Sequence, residues 1–157
     1  MSEGDEIILA TSEGQSIRFK ESDVRQMGRT AGGVRGVDMD KGDHVVGAGV
    51  VGKNDNNDAL LILMSNGYGK RTPVGEYKVQ KRGGGGVKTA NVTPKTGKVI
   101  AAQIVSSDVV EELVVISQKG QVIRVALKEI PQLGRVTQGV RIMKMREGDT
   151  IASLVCL

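Results

Sequence analysis

Residues 77–88 read Y-K-V-Q-K-R-G-G-G-G-V-K, and this stretch decides how the rest of the chain is interpreted. Four consecutive glycines lack a Cβ, so this backbone can adopt left-handed φ/ψ values and lie close against another molecule. The cations beside them are Lys78, Lys81, Arg82 and Lys88. Exposed backbone N–H groups next to Lys and Arg side chains are groups that bind phosphate oxygens. The alternative is a flexible surface loop whose lysines keep it soluble. Similar motifs occur at a fixed distance before and after this stretch, and they weigh against that alternative.

The composition indicates one domain or a few small repeated units with a mild excess of basic residues. It has 157 residues, a net charge of +4, 22 glycines against 3 prolines and a single Phe, so its core must be aliphatic and its turns tight. The basic excess is compatible with nucleic acid or an acidic surface. A single cysteine, Cys156, excludes an internal disulfide and fits a reducing cytosol. No apolar run approaches the roughly 18 residues of a membrane span, and the polar, acidic start does not resemble a signal peptide.

A period of 53 residues runs through the chain. Three apolar runs each meet a turn that ends in glycine, at Gly14, Gly67 and Gly120. The same spacing relates four further sets: Arg18, Arg71 and Arg124; Arg29, Arg82 and Arg135; Gly33, Gly86 and Gly139; and Val34, Val87 and Val140. We therefore predict three repeats, at residues 1–56, 57–109 and 110–157, with the glycine-rich stretch in the middle one.

Each repeat is predicted to contain about four short antiparallel strands. In the first repeat these are residues 6–11, 16–20, 34–40 and 44–50, because short β-branched runs bounded by Gly and Asp favour buried strands over helices. Residues 21–26, 74–79 and 127–132 are predicted to form single helical turns. The middle repeat has two extra residues between Lys88 and Gly97, which predict a longer loop. Four strands in about 50 residues are typical of a propeller blade, so three repeats predict an all-β, partial disc.

Several motifs resemble the blades of the C-terminal domain of the DNA gyrase A subunit. Y-K-V-Q-K-R-G-G-G-G-V, from Tyr77, is similar to that family's Gln-Arg-Arg-Gly-Gly-Lys-Gly box, with Gly85 where the box has a basic residue. G-Y-G-K-R-T-P-V-G-E-Y from Gly67 and V-I-R-V…L-G-R-V-T-Q-G-V-R from Val122 are similar to its other blade patterns, as is I-R-F…V-R-Q-M-G-R-T-A-G-G-V-R-G-V from Ile17. The resemblance covers essentially the whole chain, in the order of the last three of six blades.

This resemblance implies a β-pinwheel, a disc whose neighbouring blades exchange a strand. It implies that duplex DNA is bent around the basic rim in support of ATP-dependent negative supercoiling. The implied partners are the rest of the gyrase A subunit, through which the domain is linked to the gyrase B subunit, in a bacterial cytoplasm at the nucleoid. The C-terminal domain of topoisomerase IV has similar blades and remains an alternative family.

The predicted DNA-binding residues are the recurring cations and the glycine-rich stretch with its flanking charges. They are Arg18, Arg29, Arg35, Lys70, Arg71, Lys78, Lys81, Arg82, Gly83, Gly84, Gly85, Gly86, Lys88, Arg124, Arg135 and Arg141. A cation at one place on every blade makes a row of charge that a curved duplex can follow, without sequence specificity. The alternative is that the arginines bridge adjacent blades by pairing with acids such as Glu21, Glu76 and Glu129.

Enzymatic functions are poorly supported by this sequence. Residues 83–89 resemble a P-loop, but Val87 stands where the motif requires glycine before its lysine. His44 is the only histidine, and Asp43 and Asp149 occupy equivalent turns, so no catalytic residue, metal site or cofactor is predicted. The main alternative to DNA binding is a protein-interaction scaffold, and a hydrolase or nucleotide-binding protein is a weaker one. Open blade edges also predict self-association.

Overall fold

Three largely antiparallel sheets follow one another along the chain in the computed structural model, which describes residues 4–24, 26–52, 58–106 and 109–157. The first sheet contains β1 (Glu6–Thr11), β2 (Gln15–Lys20) and β3 (Val45–Val51). The other two sheets contain β4 (Ala59–Met64), β5 (Tyr68–Pro73), β8 (Val99–Val105), β9 (Glu112–Ser117), β10 (Val122–Ala126) and β12 (Ile151–Cys156). Three short strands, β6 (Val79–Gln80), β7 (Val87–Lys88) and β11 (Val140–Arg141), lie between these elements along the chain. The predicted boundary between residues 56 and 57 lies outside the described ranges.

The short strands belong to the sheet that precedes them. β7 pairs antiparallel with β2, with Lys88 opposite Gln15, while β6 pairs parallel with the same strand. β11 pairs with β5, with Arg141 opposite Tyr68. Each of these two sheets therefore takes its outer strand from the next repeat, which is the strand exchange that the resemblance implied.

One predicted strand, residues 34–40, is wrong: this segment has no regular secondary structure. Its counterparts at Val87–Lys88 and Val140–Arg141 are strands because they pair with the sheet before them. Among the described residues no sheet precedes the first one, so the segment has no such partner. The three predicted helical turns are confirmed as shorter 3-10 helices, at Glu21–Asp23, Val74–Glu76 and Leu127–Glu129.

The central strand of the middle sheet, β4, carries the core. All six of its residues are buried. Leu60 and Ile62 pack in the cluster shared with the first sheet, whereas Leu61 packs with the third sheet. Alternate residues of a strand point to opposite faces, so an unbroken apolar run fits a strand covered on both sides. The apolar run of the middle repeat is thus buried throughout, whereas the runs at residues 7–9 and 113–116 alternate between buried and half-buried residues.

Strands β3 and β8 each lie at one edge of their sheet and pack against each other, and we call this the inner side of the two sheets. A Cβ on Gly47 would lie 2.3 Å from the carbonyl oxygen of Ala102, and one on Gly49 would lie 2.5 Å from the side chain of Ile104. These two glycines allow the inner strands to pack closely. In the first sheet the order is β3-β1-β2, with both β6 and β7 paired to β2, and in the second sheet it is β8-β4-β5-β11. The borrowed strands therefore lie on the edge opposite β3 and β8, which we call the outer edge. No helix in the described ranges is long and apolar enough to cross a membrane.

Candidate nucleic-acid interface

Three exposed cations occupy the same position of successive repeats. We call Arg35, Lys88 and Arg141 the rim row. Lys88 and Arg141 lie on the outermost strands β7 and β11, and Arg35 lies in the corresponding segment of the first repeat. Arg35 is 3.8 Å from Asp38, but both side chains are about two-thirds exposed, so this ion pair leaves the charge accessible. The outer edge therefore presents one solvent-facing cation per repeat.

A second set of arginines lies directly beside the rim row. Arg82 Nη1 donates a hydrogen bond to the carbonyl of Arg35 over 3.0 Å, and Arg135 Nη1 donates to the carbonyl of Lys88 over 2.8 Å. The repeated geometry places two cations together at each joint between repeats. Arg29, at the corresponding position of the first repeat, is exposed.

Two members of the third predicted set, Arg18 and Arg71, point toward neighbouring backbone instead of outward. Arg18 Nη1 donates to the carbonyl of Val74 over 2.7 Å, and Arg71 Nε donates to the carbonyl of Ile130 over 2.7 Å. Burial lowers the pKa of Arg71. Both side chains thus bridge to the next repeat, as the alternative interpretation required, but through carbonyl oxygens.

The acidic partners of this third set also differ from those expected. Arg18 pairs with Glu6, and Arg124 pairs with Glu112. These contacts replace the anticipated pairs with Glu21, Glu76 and Glu129. The side chain of Arg124 remains 67% exposed, against 14% for Arg18, so Arg124 is the member of this set that solvent reaches best.

Lys70, a predicted DNA-binding residue, is buried. It is 1% exposed, and its Nζ donates to the carbonyls of Gly134, Arg135 and Thr137 over 2.7, 2.8 and 2.9 Å. Burial lowers the pKa of this ammonium to about 8. A side chain enclosed in this way does not present its charge on the rim, so we correct its assignment: Lys70 fastens the segment that leads into β11 onto the middle sheet.

Lys70→Met is expected to lower the free energy of unfolding by about 3 kcal/mol, because buried carbonyls lose their donor. The difference between the two proteins should also depend on pH. Since the folded pKa of about 8 lies below the ordinary value of 10.5, the unfolded chain binds more protons between these values. The contribution of Lys70 should therefore be constant below about pH 8 and rise toward about pH 10.5.

Urea unfolding of both proteins across this pH range measures the effect. Lys128→Met, which changes an exposed lysine, is the matched control and should alter stability little. A stability difference between wild type and Lys70→Met that stays constant or shrinks as the pH rises would contradict the assignment.

The glycine-rich stretch is engaged in contacts with the first repeat. Gly86 has a φ of +75°, and a Cβ there would lie 2.1 Å from the carbonyl oxygen of Ser16. The N–H of Gly83 donates to the carbonyl of Gly36 over 2.7 Å. A Cβ at Gly85, in contrast, would meet no atom within 4 Å. These glycines therefore serve close packing between repeats, while Lys78 and Lys81 remain exposed beside them.

Lys95, a cation outside the predicted DNA-binding set, lies close to the rim row. Its Nζ is 5.7 Å from the centroid of the Tyr68 ring, and Arg141 Cζ is 5.8 Å from the same centroid. The signal that could have identified it is the two-residue insertion before Gly97.

The equivalent aspartates act as turn-forming residues. Asp43 Oδ1 accepts hydrogen bonds from Ser12 Oγ over 2.8 Å and from the backbone N–H groups of Glu13 and His44. Burial raises the pKa of Asp43, but these hydrogen bonds and one from Thr11 outweigh it, so the pKa is lowered. Within the described ranges, no group of three or more His, Cys, Asp and Glu residues could hold a metal ion.

Comparison with known proteins finds matches along nearly the whole chain. The family model described as "DNA gyrase C-terminal domain, beta-propeller" matches residues 5–52, 58–106 and 111–157. The DNA gyrase A subunit of Staphylococcus epidermidis is 41% identical over 150 residues, which are 96% of this chain and 16% of that protein. The chain thus spans about a sixth of the length of that relative.

Two solved structures share the fold. A structure of the DNA gyrase A C-terminal domain has a TM-score of 0.88 and 26% identity, and the match covers 99% of this chain and 52% of that one. The C-terminal domain of DNA topoisomerase IV has a TM-score of 0.87 over 99% of this chain and 47% of that one, but only 17% identity. The latter likeness concerns the fold alone.

Proposed function

Because this chain belongs to the family of DNA gyrase C-terminal, β-propeller domains, we propose that it binds duplex DNA without sequence specificity and bends it around its outer edge. The observation that carries the proposal is the rim row of Arg35, Lys88 and Arg141, which exposes a cation at the same position of three successive repeats. We treat the three repeats, at residues 1–56, 57–109 and 110–157, as one blade each.

The arrangement of the charges matches the chemistry of a bent duplex. Phosphates carry the charge of DNA but no sequence information, so contacts to them position the duplex. Bending costs several kcal/mol by elastic estimates, which a single contact cannot offset. The rim row, with Arg82 and Arg135 held beside it, would offer repeated contacts to the duplex along the outer edge.

We further propose that the chain acts as part of a gyrase-type enzyme. In this proposal it belongs to the A subunit of DNA gyrase, an ATP-dependent type II topoisomerase, in the bacterial cytoplasm at the nucleoid. Its partners would be the rest of that polypeptide together with the gyrase B subunit, and the bent DNA would support negative supercoiling. This chain itself would not catalyse a reaction. The 41% identity to a gyrase A subunit favours this over a topoisomerase IV-type function.

The salt dependence of duplex binding tests the DNA-binding proposal. With about six phosphates contacted, log K should fall against log salt with a slope of about −5, because each contact releases about 0.9 counterions. Fluorescence anisotropy with a labelled duplex at several salt concentrations gives this slope. Binding that is absent, or that does not change with salt, would favour a protein-interaction scaffold.

We also propose self-association through the outer edge of β10. Among the described residues no strand pairs with that side of β10, and Val122 is 65% exposed there. Gly33 has a φ of +80°, close to +75° at Gly86 and +82° at Gly139, so residues 28–35 resemble the segments that supply β7 and β11. In this proposal, the same segment of a second copy pairs with the open edge. Sedimentation should show dimers at high concentration, and monomers at every concentration would contradict the proposal.

A further inference from the structure

The insertion in the middle repeat forms an ordered loop that holds Lys95 at the rim. Thr93 and Thr96 exchange hydrogen bonds between backbone N–H groups and hydroxyls, over 3.1 and 3.3 Å. Asn66 Nδ2 donates to the carbonyls of Pro94 and Lys95, each over 3.2 Å. These contacts fix the loop against the β4–β5 turn. The two extra residues therefore place one lysine in a defined position.

Lys95 shares the Tyr68 ring with a member of the rim row. Both Lys95 Nζ and Arg141 Cζ lie within 6 Å of the ring centroid, and Tyr68 itself is 6% exposed. Within the described part of the chain, no carboxylate forms an ion pair with either cation. The positions that correspond to Tyr68 are Gln15 and Gln121, so the other repeats lack this aromatic ring.

This cluster has the chemistry of a site for a phosphate group. Two cations that lie beside one ring without a carboxylate partner repel each other, and an anion bound to both relieves that repulsion. Arg and Lys donate charge-assisted hydrogen bonds to phosphate oxygens, and a phenol can add another donor. Burial raises the pKa of Tyr68, but hydrogen bonding with Arg141 and the charges of both cations outweigh it, so the pKa is lowered. A more acidic hydroxyl is a better donor.

We propose that Tyr68, Lys95 and Arg141 form a phosphate-binding site that anchors one backbone phosphate of duplex DNA at the outer edge of the middle sheet. This inference rests on the proposed function, since Arg141 belongs to the rim row that the duplex would follow. It adds Lys95 and Tyr68 to the interface beside Arg141, which pairs with the middle sheet through β11. The ligand is a phosphodiester of the duplex backbone, and free phosphate is the competing source of the same chemistry.

Lys95→Ala is expected to weaken duplex binding about fivefold at about 0.15 M salt, because the phosphate loses one charge-assisted hydrogen bond. The salt slope should change little, since Arg141 still contacts the same phosphate. Lys98→Ala is the matched control, because Lys98 is a neighbouring lysine that Glu13 already pairs over 2.7 Å. It should change affinity less than twofold. Equal effects of the two substitutions would overturn the inference, while wild-type protein that binds no duplex would overturn the proposed function as well.

The pKa of Tyr68, measured with and without duplex, gives a second test of the site. If Tyr68 had only a structural role, its pKa would not change when the duplex binds. The chain has only two tyrosines, so ring-carbon NMR signals of labelled tyrosine can be assigned with Tyr68→Phe. A bound phosphate should raise the pKa of Tyr68, because its negative charge offsets the two cations. Tyr77 is buried, with a raised pKa, and serves as an internal control that should not respond.

A titration with inorganic phosphate distinguishes a site for a phosphodiester of the duplex from a site for a free phosphate ion. We expect the duplex to raise the pKa of Tyr68 and inorganic phosphate at millimolar concentration to leave it unchanged, since a single free ion lacks the neighbouring contacts along the rim. An equal shift with inorganic phosphate alone would overturn the assignment to duplex DNA. A Tyr68 pKa that stays constant when the duplex binds would overturn the site itself.

Discussion

Replacing Arg35, Lys88 and Arg141 together by alanine is expected to weaken duplex binding about a hundredfold at about 0.15 M salt. Each lost phosphate contact removes the release of about 0.9 counterions, which corresponds to about fivefold in affinity at this concentration. Three independent contacts multiply to about a hundredfold. The slope of log K against log salt should fall from about −5 to about −2. Anisotropy titrations at several salt concentrations measure both quantities.

A charge-matched control separates position from net charge. Lys20, Lys41 and Lys128 are exposed lysines outside the rim row, and their joint replacement by alanine removes the same three charges. We expect that triple variant to lose less than tenfold in affinity, because long-range attraction is screened at this ionic strength. If both triple variants lose affinity equally, the rim row has no special role and binding reflects overall charge alone.

Gly86→Ala is expected to lower the free energy of unfolding by about 3 kcal/mol. The φ of +75° costs an L-residue about 1 to 2 kcal/mol, and overpacking typically costs 1 to 3 kcal/mol more. The overpacking arises because the new Cβ would lie 2.1 Å from the carbonyl oxygen of Ser16. Relief of this clash would move β7 away from β2. Chemical denaturation measures the loss, and amide hydrogen exchange at Val87 should show the local opening.

Gly85→Ala, one residue earlier in the same stretch, is the control. The added methyl meets no atom within 4 Å and the residue has no positive φ, so we expect a change of less than about 0.5 kcal/mol. Comparable destabilisation by the two substitutions would show that the glycines are required for backbone flexibility in general. A stable Gly86→Ala protein would contradict the close packing of β7 on β2.

The period of 53 residues predicted most of the fold because it reflects one structural unit used three times. Turn glycines such as Gly14 and Gly67 recur at this period and align the repeats. Apolar runs such as residues 60–63 indicated the buried strands. The period did not reveal to which sheet each strand belongs. Residues 34–40 were therefore predicted as a strand within their own repeat, whereas strands at that position form only by pairing with the preceding sheet.

The candidate site was predicted less completely, because a charged residue in a sequence does not show whether its side chain points toward solvent or into the protein. Lys70 is adjacent to Arg71 and was assigned to the rim with it, yet Lys70 is buried. The corresponding residues Ile17 and Ile123 are apolar, and that comparison could have indicated an inward position. Lys95 was missed for the opposite reason: it lies in an insertion without counterparts, so the repeats could not identify it.

The bending of a short duplex tests the central claim most directly. A duplex of about 30 base pairs with a fluorophore at each end reports its end-to-end distance by energy transfer, and a duplex of this length is stiff when free. We predict that saturating wild-type protein shortens this distance and that the variant without the rim row does not, even at concentrations where it still binds. Saturated binding of the wild-type protein with an unchanged end-to-end distance would contradict the account.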